Sequence, residues 1–211
     1  MKIIILIMSP DKNLERRKIL KKLLEKMTFE FKFMSINDVI ELTPEAIAKN
    51  HDSQKTINSF GREFSRGELA STLNHLASYR KFLESEYDVA IILEDDADFI
   101  VDEFNDVTNM LIKIIDESMP QVHLLTPVIS YIKSNSKDLN GHYEVVEVIQ
   151  SWDTAGYIIN RKAAQKMLDT NSNSWIIADD WVRYKRYANI NVFSVIPSII
   201  KQNLIGFDSN L

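Results

Sequence analysis

The stretch from Tyr87 to Asp98 constrains the fold of this chain more than any other. Five apolar residues, 89 to 93, run without interruption into the acids Glu94, Asp95 and Asp96. A short apolar run of this length is typical of a central parallel strand that is buried on both faces. Ligands of open α/β sheets bind just beyond the carboxyl ends of such strands. The three acids therefore lie where a functional site is expected.

Alternation along a strand divides the three acids between its two faces. Residues i and i+2 point the same way, so Glu94 and Asp96 share one face and Asp95 faces the other. Two converging carboxylates repel each other unless a cation lies between them, and hard ions such as Mg²⁺ or Mn²⁺ suit such a pair. We therefore expect Asp96 to be the main metal ligand and Glu94 to assist it. The simpler alternative is that these acids only end a strand and cap the next helix.

Strand and helix also alternate from the start of the chain. Residues 3–8 predict a first strand, a Ser-Pro-Asp sequence at residues 9–11 predicts the start of a helix that runs to about Lys26, and residues 29–36 predict a second strand. This order is that of doubly wound α/β folds. Further helices are predicted over residues 67–84, 104–115, 161–169 and 179–187, and further strands over residues 122–126, 155–160 and 191–196.

Two polar stretches interrupt this pattern. Residues 49–67 are polar and aperiodic, which predicts an exposed, mobile loop that is either a plain linker or a lid over a ligand. Residues 129–140 are also polar, and the alternating residues 143–149 after them are typical of an edge strand. The 211 residues suffice for one domain. Within it we expect a nucleotide-binding half, residues 1–128, and an acceptor-binding half, residues 129–211.

Composition and missing motifs exclude several classes of protein. The net charge of −5 gives no general basic surface, so no nucleic-acid partner is expected. The chain has no cysteine, which excludes disulfides and thiolate metal sites and is typical of a reducing, cytoplasmic compartment. Neither a GxxxxGK[ST] nor a GxGxxG sequence is present. The amino-terminal apolar run is too short for a signal peptide or a membrane span, and leaves only peripheral membrane contact open.

Residues 67–99 combine several features that occur together in a known family. They contain a Gly-Glu pair, a helix with a histidine and an aromatic residue, and a hydrophobic strand that ends in Glu-Asp-Asp. This combination resembles the signature of glycosyltransferase family 25, the lipopolysaccharide-type galactosyltransferases. The matching residues are Gly67, Glu68, His75, Tyr79, Glu94, Asp95 and Asp96, with Asn74 where the family usually has serine.

Other stretches resemble the same family in the same order. An arginine pair, Arg16 and Arg17, follows the first strand. Residues 154–164 resemble the family's Gly-Tyr strand with its following helix, and residues 178–181 and 195–197 resemble its acidic motif and closing strand. One departure is a Met-Ser-Pro sequence at the end of the first strand, where the family commonly has Asn-Leu-Asp. The resemblance covers nearly the whole chain.

The resemblance implies a GT-A-like α/β glycosyltransferase, with a Rossmann-type, mostly parallel sheet flanked by helices in a single domain. The implied reaction transfers a sugar, expected to be galactose from UDP-galactose, with inversion to a glycan acceptor such as lipooligosaccharide or lipopolysaccharide. The implied cofactor is Mn²⁺ or Mg²⁺, which would neutralise the leaving diphosphate. The residues expected to bind the donor are Glu94, Asp95, Asp96, Glu68, His75 and Arg16.

The reaction also needs a base that accepts the proton of the acceptor hydroxyl. We expect Asp180 in this role, because an acid pair followed by a helix resembles the placement of the base in inverting GT-A enzymes, and Asp179 would then cap the helix or hold the acceptor. Trp152, Tyr157 and Trp181 are candidates for stacking on acceptor sugars. Each of these residues has a structural alternative, a helix cap for the acids and a place in the core for the aromatic rings.

Two further alternatives concern the helical histidine and the function as a whole. His75 could bind the donor or orient a carboxylate, although a lone helical histidine more often has a structural role. The acids would also suit a non-catalytic, receiver-like α/β module that binds a metal or responds to phosphate. Thermal stabilisation by UDP with Mn²⁺ would favour the transferase, whereas a response to small phosphodonors would favour the receiver.

Overall fold

Helices and strands alternate through the computed structural model of the protein, which describes residues 1–36 and 42–202. The strands are β1 (Ile3–Met8), β2 (Glu30–Met34), β3 (Val89–Glu94), β4 (Ala97–Asp98), β5 (Gln121–Leu124), β6 (Ser130–Asp138), β7 (Glu144–Gln150), β8 (Gly156–Asn160), β9 (Asn191–Ile196) and β10 (Lys201–Gln202). The helices are α1 (Leu14–Leu24), α2 (Pro44–Asn50), α3 (Ser53–Phe60), α4 (Arg66–Leu83), α5 (Val101–Ile114), α6 (Arg161–Thr170) and α7 (Trp181–Arg183), which a π-helical turn, Tyr184–Ala188, continues. None of the helices in the described ranges is long and apolar enough to cross a membrane.

Eight strands form one mixed sheet in the order β2-β1-β3-β8-β5-β9-β7-β6. All strands of this sheet except β7 and β8 run in one direction. The apolar runs of β1 and β3 lie side by side in parallel, as expected for strands that are buried on both faces. The predicted α/β class with a mostly parallel sheet is therefore confirmed, and the bounds predicted for β1 and β9 agree with the structure.

Helices cover both faces of the sheet. Ile91 and Leu93 of β3 pack with α1 and α5, whereas Ala90 and Ile92 pack with α4 and α6. Each large aliphatic side chain that is fully buried in this way contributes about 1.5–3 kcal/mol to stability. The same alternation continues past the apolar run, and it turns the side chain of Glu94 toward α4.

Strand β8 brings its preceding loop to the acid end of β3, because it runs antiparallel to β3. The backbone N–H of Glu94 donates to the carbonyl of Ala155 at 3.0 Å. At Gly156 a Cβ atom would lie 2.1 Å from Cδ1 of Ile200 and 3.1 Å from Cδ2 of Leu93, so close packing requires glycine here.

The two halves predicted from the sequence are interleaved in the sheet, because strand β8 of the second half lies between β3 and β5 of the first. The assignment of functions to those halves stays a prediction.

The loop predicted over residues 49–67 is wrong, because α2 ends within it, α3 lies at its centre and α4 begins at its end. The side chains of Thr43 and Asp52 cap α2 and α3, and α3 ends at Gly61 in the left-handed conformation with φ 71°. Helix α2 has no buried residue and α3 has only a buried threonine. Hydrophobic periodicity is therefore missing, and the cap residues are the local signal. The lid function of this segment stays a prediction.

The predicted start of α1 is also wrong. The helix begins at Leu14, and its cap residue Asn13 makes no side-chain capping bond. Ser9, which was expected to cap the helix, donates its hydroxyl to Asp95 at 2.8 Å instead. A contact between residues so far apart in the sequence leaves no mark in the local pattern.

Strand β6 was missed, because its residues are polar. It forms the edge of the sheet, and β7, which was predicted as the edge strand, lies between β9 and β6. Much of β6 is exposed, including Lys133 and Lys137, and charged residues are typical of edge strands that must not pair with other chains. Hydrophobic alternation is consequently absent, and the polar composition indicated a loop.

Candidate functional site

Polar residues from several segments meet at the edge of the sheet where β1 and β3 end. Met8 and Glu94 are register partners, so the loop before α1 and the acids after β3 lie side by side. Thr154 reaches the same edge from the loop before β8 and bonds to Glu94. The segment before α7 is attached to α4 nearby, where the backbone N–H of Ala178 donates to the hydroxyl of Thr72 at 3.1 Å.

Asp95 is held by three donors from the start of α1 and the loop before it. Ser9 Oγ and Asn13 Nδ2 donate to Oδ2 at 2.8 and 2.9 Å, and an Nη atom of Arg16 donates to Oδ1 at 2.9 Å. The side chains of Arg16 and Asp95 are only 14% and 9% exposed. These bonds join α1 to the end of β3, so both residues have a structural role, and their predicted contact with a donor stays a prediction.

Glu94 faces α4 on the opposite side of the sheet. Its Oε1 accepts a hydrogen bond from Nε2 of His75 at 3.1 Å and another from Oγ1 of Thr154 at 2.6 Å. Burial alone would raise the pKa of the Glu94 carboxyl, but the bond and electrostatic effect of His75 and the bond from Thr154 outweigh burial and lower the pKa. Glu94 is therefore ionised at neutral pH. Thr154, a partner of this acid, was not among the expected site residues.

Asp96 lies in a different environment from Asp95. Its Oδ2 accepts a hydrogen bond from Nε2 of Gln202 at 2.9 Å, whereas its Oδ1 is buried without a hydrogen-bond partner in the part of the chain that the structure describes. Burial, followed by the charge of Glu94, raises the pKa of Asp96 to about 6. A buried, unpartnered carboxylate oxygen is a suitable ligand for a divalent cation.

The two metal ligands predicted from the sequence do not share one face of the strand, as alternation suggested. Strand β3 ends at Glu94, which faces α4, and Asp96 lies in the following turn beside α1, as Asp95 does. Within residues 1–36 and 42–202, no group of three or more acidic or histidine side chains is arranged to hold a metal ion. Mg²⁺ usually binds through one or two carboxylates together with substrate phosphates and water. Asp96 and Glu94 therefore suffice as protein ligands only if a phosphate group supplies others, and the metal stays a prediction.

A cleft opens beside Asp96, between α1 and the turn after β3. Its lining residues are Arg16, Ile19, Leu20, Leu23, Asp95, Asp96, Ala97 and Asp98. Helix α1 supplies a mainly apolar wall, and the turn supplies acids. The volume of the cleft, about 60 Å³, is smaller than that of sites that enclose a whole nucleotide sugar.

The second acid pair, before α7, is arranged differently from the prediction. Asp180, not Asp179, caps the helix, since its Oδ1 accepts a hydrogen bond from the backbone N–H of Arg183 at 2.9 Å. Its Oδ2 forms an ion pair with the guanidinium of Arg183, and the side chain is fully buried. Asp179 is half-buried, and burial, together with the charges of Asp180 and Glu94, raises its pKa to about 6. The geometry therefore favours Asp179 as the base.

The aromatic residues expected to bind the acceptor are in different environments. Tyr157 and Trp181 are fully buried and pack edge to face, with ring centroids 5.2 Å apart. Their burial in the core contradicts the predicted stacking on acceptor sugars. Trp152 is 43% exposed and keeps this role as a prediction. The indole N–H of Trp181 donates to the carbonyl of Asp153 at 3.0 Å, which joins α7 to the loop before β8.

Asp153 belongs to the same acid cluster, although it was not among the expected site residues. Burial, and to a smaller extent the charge of Glu94, raises the pKa of its carboxyl. Its Oδ1 accepts a hydrogen bond from the backbone N–H of Ala155 at 2.8 Å. An acid directly before the Gly-Tyr strand is the sequence signal that could have identified it.

Glu68 forms a capping box at the start of α4. It accepts a hydrogen bond from the backbone N–H of Ser65 at 2.7 Å, and Ser65 Oγ accepts one from the backbone N–H of Glu68 at 3.2 Å. The bond from Arg62, more than any other effect, lowers the pKa of Glu68 to about 2. Such a cap contributes about 1 kcal/mol to stability, and the predicted donor contact of Glu68 stays a prediction.

Comparison with known proteins gives one family and several structures of similar fold. The family model described as glycosyltransferase family 25 (LPS biosynthesis protein) matches residues 2–182. A comparison with curated proteins gives no significant match.

Among solved structures, a CMP:2-keto-3-deoxy-manno-octonic acid synthetase complexed with CTP is 12% identical, with a TM-score of 0.49 over 92% of this chain and 89% of that one. A glycosyltransferase involved in the glycosylation of the major capsid of PBCV-1 is 11% identical, with a TM-score of 0.38 over 94% and 95% of the two chains. The glycosyltransferase GlyE of Streptococcus pneumoniae TIGR4 is 12% identical, with a TM-score of 0.45 over 92% of this chain and 45% of that one.

Proposed function

This chain belongs to glycosyltransferase family 25, and we propose that it transfers galactose from UDP-galactose to a glycan acceptor with inversion at the anomeric carbon. Its GT-A-like α/β fold is the one expected for such an enzyme. Membership of the family identifies a glycosyltransferase and decides against the receiver-like alternative. The observation that carries the proposal is the acid cluster around Glu94, in which burial first, and the charge of Glu94 to a smaller extent, raises the pKa of Asp96, Asp153 and Asp179. Clusters of acids with such raised pKa values are typical of active sites.

In this proposal the donor diphosphate binds beside Asp96. Asp96 would hold Mn²⁺ or Mg²⁺ through its unpartnered Oδ1, and Glu94 would assist through water or the ribose. The ion would supply positive charge against the negative charge that develops on the leaving diphosphate. The cleft between α1 and the turn after β3 supports this placement, because it combines an apolar wall with Asp96 and its neighbour Asp95.

Asp179 is the proposed base. A carboxyl group with a pKa of about 6 is mostly ionised at neutral pH and can still accept a proton efficiently. It would take the proton of the acceptor hydroxyl while that oxygen bonds to the anomeric carbon and the bond to the diphosphate breaks. Asp180 is less suitable than the sequence suggested, because it is fully buried and both of its oxygens are engaged by Arg183.

The proposed acceptor is the glycan of a lipooligosaccharide or lipopolysaccharide. The description of the family as LPS biosynthesis proteins supports this class of acceptor. Trp152 would contact the acceptor, since it is exposed and directly precedes Asp153 of the cluster. We place the reaction in the cytoplasm, where the enzyme would contact a lipid-linked acceptor peripherally at the inner face of the membrane.

Release of UDP from a panel of sugar nucleotides tests this proposal. We expect release from UDP-galactose and not from GDP-mannose, with stimulation by a lipooligosaccharide or lipopolysaccharide acceptor. Addition of EDTA should abolish it, and Mn²⁺ should restore it. If no UDP-sugar is turned over with any acceptor or metal, the proposed donor is wrong.

Two matched variants test the metal site. Asp96→Asn should remove Mn²⁺-dependent UDP binding in calorimetry, whereas Asp106→Asn, at an exposed acid on α5 that does not line the cleft, should bind as the unmodified protein does. Equal Mn²⁺-dependent binding by both variants would exclude Asp96 as the metal ligand.

A further inference from the structure

A chain of buried hydrogen bonds leads from the core to Glu94. The hydroxyls of Tyr79 and Tyr157 lie 2.8 Å apart, the hydroxyl of Tyr157 lies 2.8 Å from Nδ1 of His75, and Nε2 of His75 lies 3.1 Å from Oε1 of Glu94. Both tyrosines are fully buried and His75 is 1% exposed. Buried hydroxyl and ring nitrogen groups need hydrogen-bond partners, and here they bond to one another in a line that ends at Glu94.

The chemistry of Glu94 determines the direction of this chain. An ionised carboxylate only accepts hydrogen bonds, so Nε2 of His75 must carry a proton and donate. In the neutral form of the ring, which is part of the proposal below, Nδ1 accepts from the hydroxyl of Tyr157, which in turn accepts from the hydroxyl of Tyr79. Burial raises the pKa of both tyrosines, so their hydroxyls keep their protons. Three protons thus serve three hydrogen bonds, and the ring is held as the Nε2-protonated tautomer.

The chain also determines how Glu94 is oriented. His75 and Thr154 both donate to Oε1, whereas Oε2 has no hydrogen-bond partner among the residues that the structure describes. The side chain of Glu94 is 25% exposed, so this oxygen is open to a ligand. Buried groups that hold a binding residue in one orientation reduce the free energy that ligand binding must spend on ordering it.

We propose that His75 is a positioning residue, which the hydroxyls of Tyr157 and Tyr79 hold in the Nε2-protonated form so that Oε2 of Glu94 accepts a hydrogen bond from a hydroxyl of the donor sugar nucleotide. The class of ligand rests on the proposed transferase function, whereas the tautomer of His75 does not. The rival explanation is a histidine that only fills space in the core.

Nitrogen NMR of ¹⁵N-histidine-labelled protein tests the tautomer without any assay of activity. The chain has four histidines, and loss of one signal set in His75→Gln assigns its ring. At neutral pH we expect a protonated Nε2 and an unprotonated Nδ1. A ring protonated at Nδ1, alone or together with Nε2, would overturn the proposal.

A pair of tyrosine variants tests whether the hydroxyls hold the ring. Tyr157→Phe removes the central hydroxyl of the chain and should shift the His75 signals toward a mixture of tautomers. Tyr184→Phe is the matched control, because it removes another buried hydroxyl of the same core, one that accepts a hydrogen bond from Nδ2 of Asn171. It should lose similar stability and leave the His75 signals unchanged. If the His75 ring nitrogen signals of Tyr157→Phe equal those of Tyr184→Phe, the proposal is contradicted.

Two amide variants of His75 test the effect on the donor. The N–H group of His75→Gln reaches the position of Nε2 and can still donate to Glu94, whereas the shorter side chain of His75→Asn cannot. We expect His75→Asn to raise the KM for the donor about tenfold, as loss of one hydrogen bond of about 1.4 kcal/mol does, with kcat little changed. The KM of His75→Gln should lie much nearer the value of the unmodified enzyme. Equal donor KM values for the two folded variants would exclude a positioning role. If no sugar nucleotide is turned over at all, the proposed function fails, while the NMR result still decides the tautomer.

Discussion

The acid pair after β3 and the acid pair before α7 have the same composition and the same internal contrast. In each pair an arginine binds one carboxylate, Asp95 in the first and Asp180 in the second. The neighbouring acid, Asp96 or Asp179, is half-buried, and burial is the first cause that raises its pKa to about 6. The bound acid comes first in one pair and second in the other.

This contrast shows that two adjacent aspartates acquire different chemistry from the groups around them. Asp95 joins α1 to the end of β3, whereas Asp180 caps α7 and pairs with Arg183 of that helix. Their neighbours lack such partners and lie near Glu94, whose negative charge disfavours ionisation. When the surroundings of two neighbouring acids give them different pKa values, one carboxylate can have a structural role and the other can take part in acid–base chemistry.

The largest expected effect is on turnover, when the proposed base Asp179 is replaced. Asp179→Asn should lower kcat by about 10²–10⁴-fold, the usual contribution of a general base, with little change in the KM for the donor. Steady-state kinetics at saturating acceptor measures both constants. In the unmodified enzyme kcat/KM should fall as the pH drops below about 6, since the base must be ionised. A variant that keeps most of its turnover would exclude Asp179 as the base.

The next largest effect is on the free energy of unfolding, when Asp180, the arginine-bound acid of the same pair, is replaced. Asp180→Asn should destabilise the protein by about 3 kcal/mol, because asparagine can still cap α7 but leaves the guanidinium of Arg183 without its buried charge partner. Urea unfolding measures the loss. Asp106→Asn, at an exposed acid on α5, is the control and should change stability by less than about 0.5 kcal/mol. Equal unfolding free energies of Asp180→Asn and Asp106→Asn would mean that the ion pair between Asp180 and Arg183 does not contribute to stability.

The corresponding change in the first pair should be smaller. Asp95→Asn should cost about 1–2 kcal/mol, because Asp95 is 9% exposed whereas Asp180 is fully buried, and the asparagine oxygen can still accept one of the bonds from Ser9 and Asn13. The same urea measurement applies. A loss larger than that of Asp180→Asn would reverse the ranking of the two anchors.

The smallest effect concerns stability against pH. The folded-state pKa of Asp96 and Asp179, about 6, lies above the ordinary value of 3.8, so the folded protein binds more protons than the unfolded chain between these values. Each group therefore destabilises the protein above about pH 6, and the penalty disappears as the pH falls toward 3.8.

Asparagine at either position should thus stabilise the metal-free protein by about 1–2 kcal/mol at pH 8, with no gain near pH 4. Thermal unfolding in EDTA across this range measures the gain. A gain that stays constant with pH would show that the carboxyl does not titrate in this window.

Local patterns determined much of the fold. The apolar runs of β1 and β3 predict buried parallel strands, and the abrupt change at Glu94 predicts where the polar site lies. The prediction of the strands succeeds because burial on both faces requires a continuous apolar sequence, a property of the strand itself, whereas the site stays a prediction. The edge strand β6 and helix α3 escaped prediction for the same reason, since segments with little buried surface need no hydrophobic pattern.

Only the tertiary structure decided which acid of each pair is free to act. Asp95 finds its donors at Ser9 and Asn13, on a loop more than eighty positions away in the sequence, and this contact also determines that Ser9 does not cap α1. Asp179 owes its raised pKa mainly to burial and partly to the charge of Glu94 on another element. Hydrophobic periodicity reports how deeply a segment is buried, whereas a carboxylate's pKa and hydrogen bonds depend on groups that folding brings beside it.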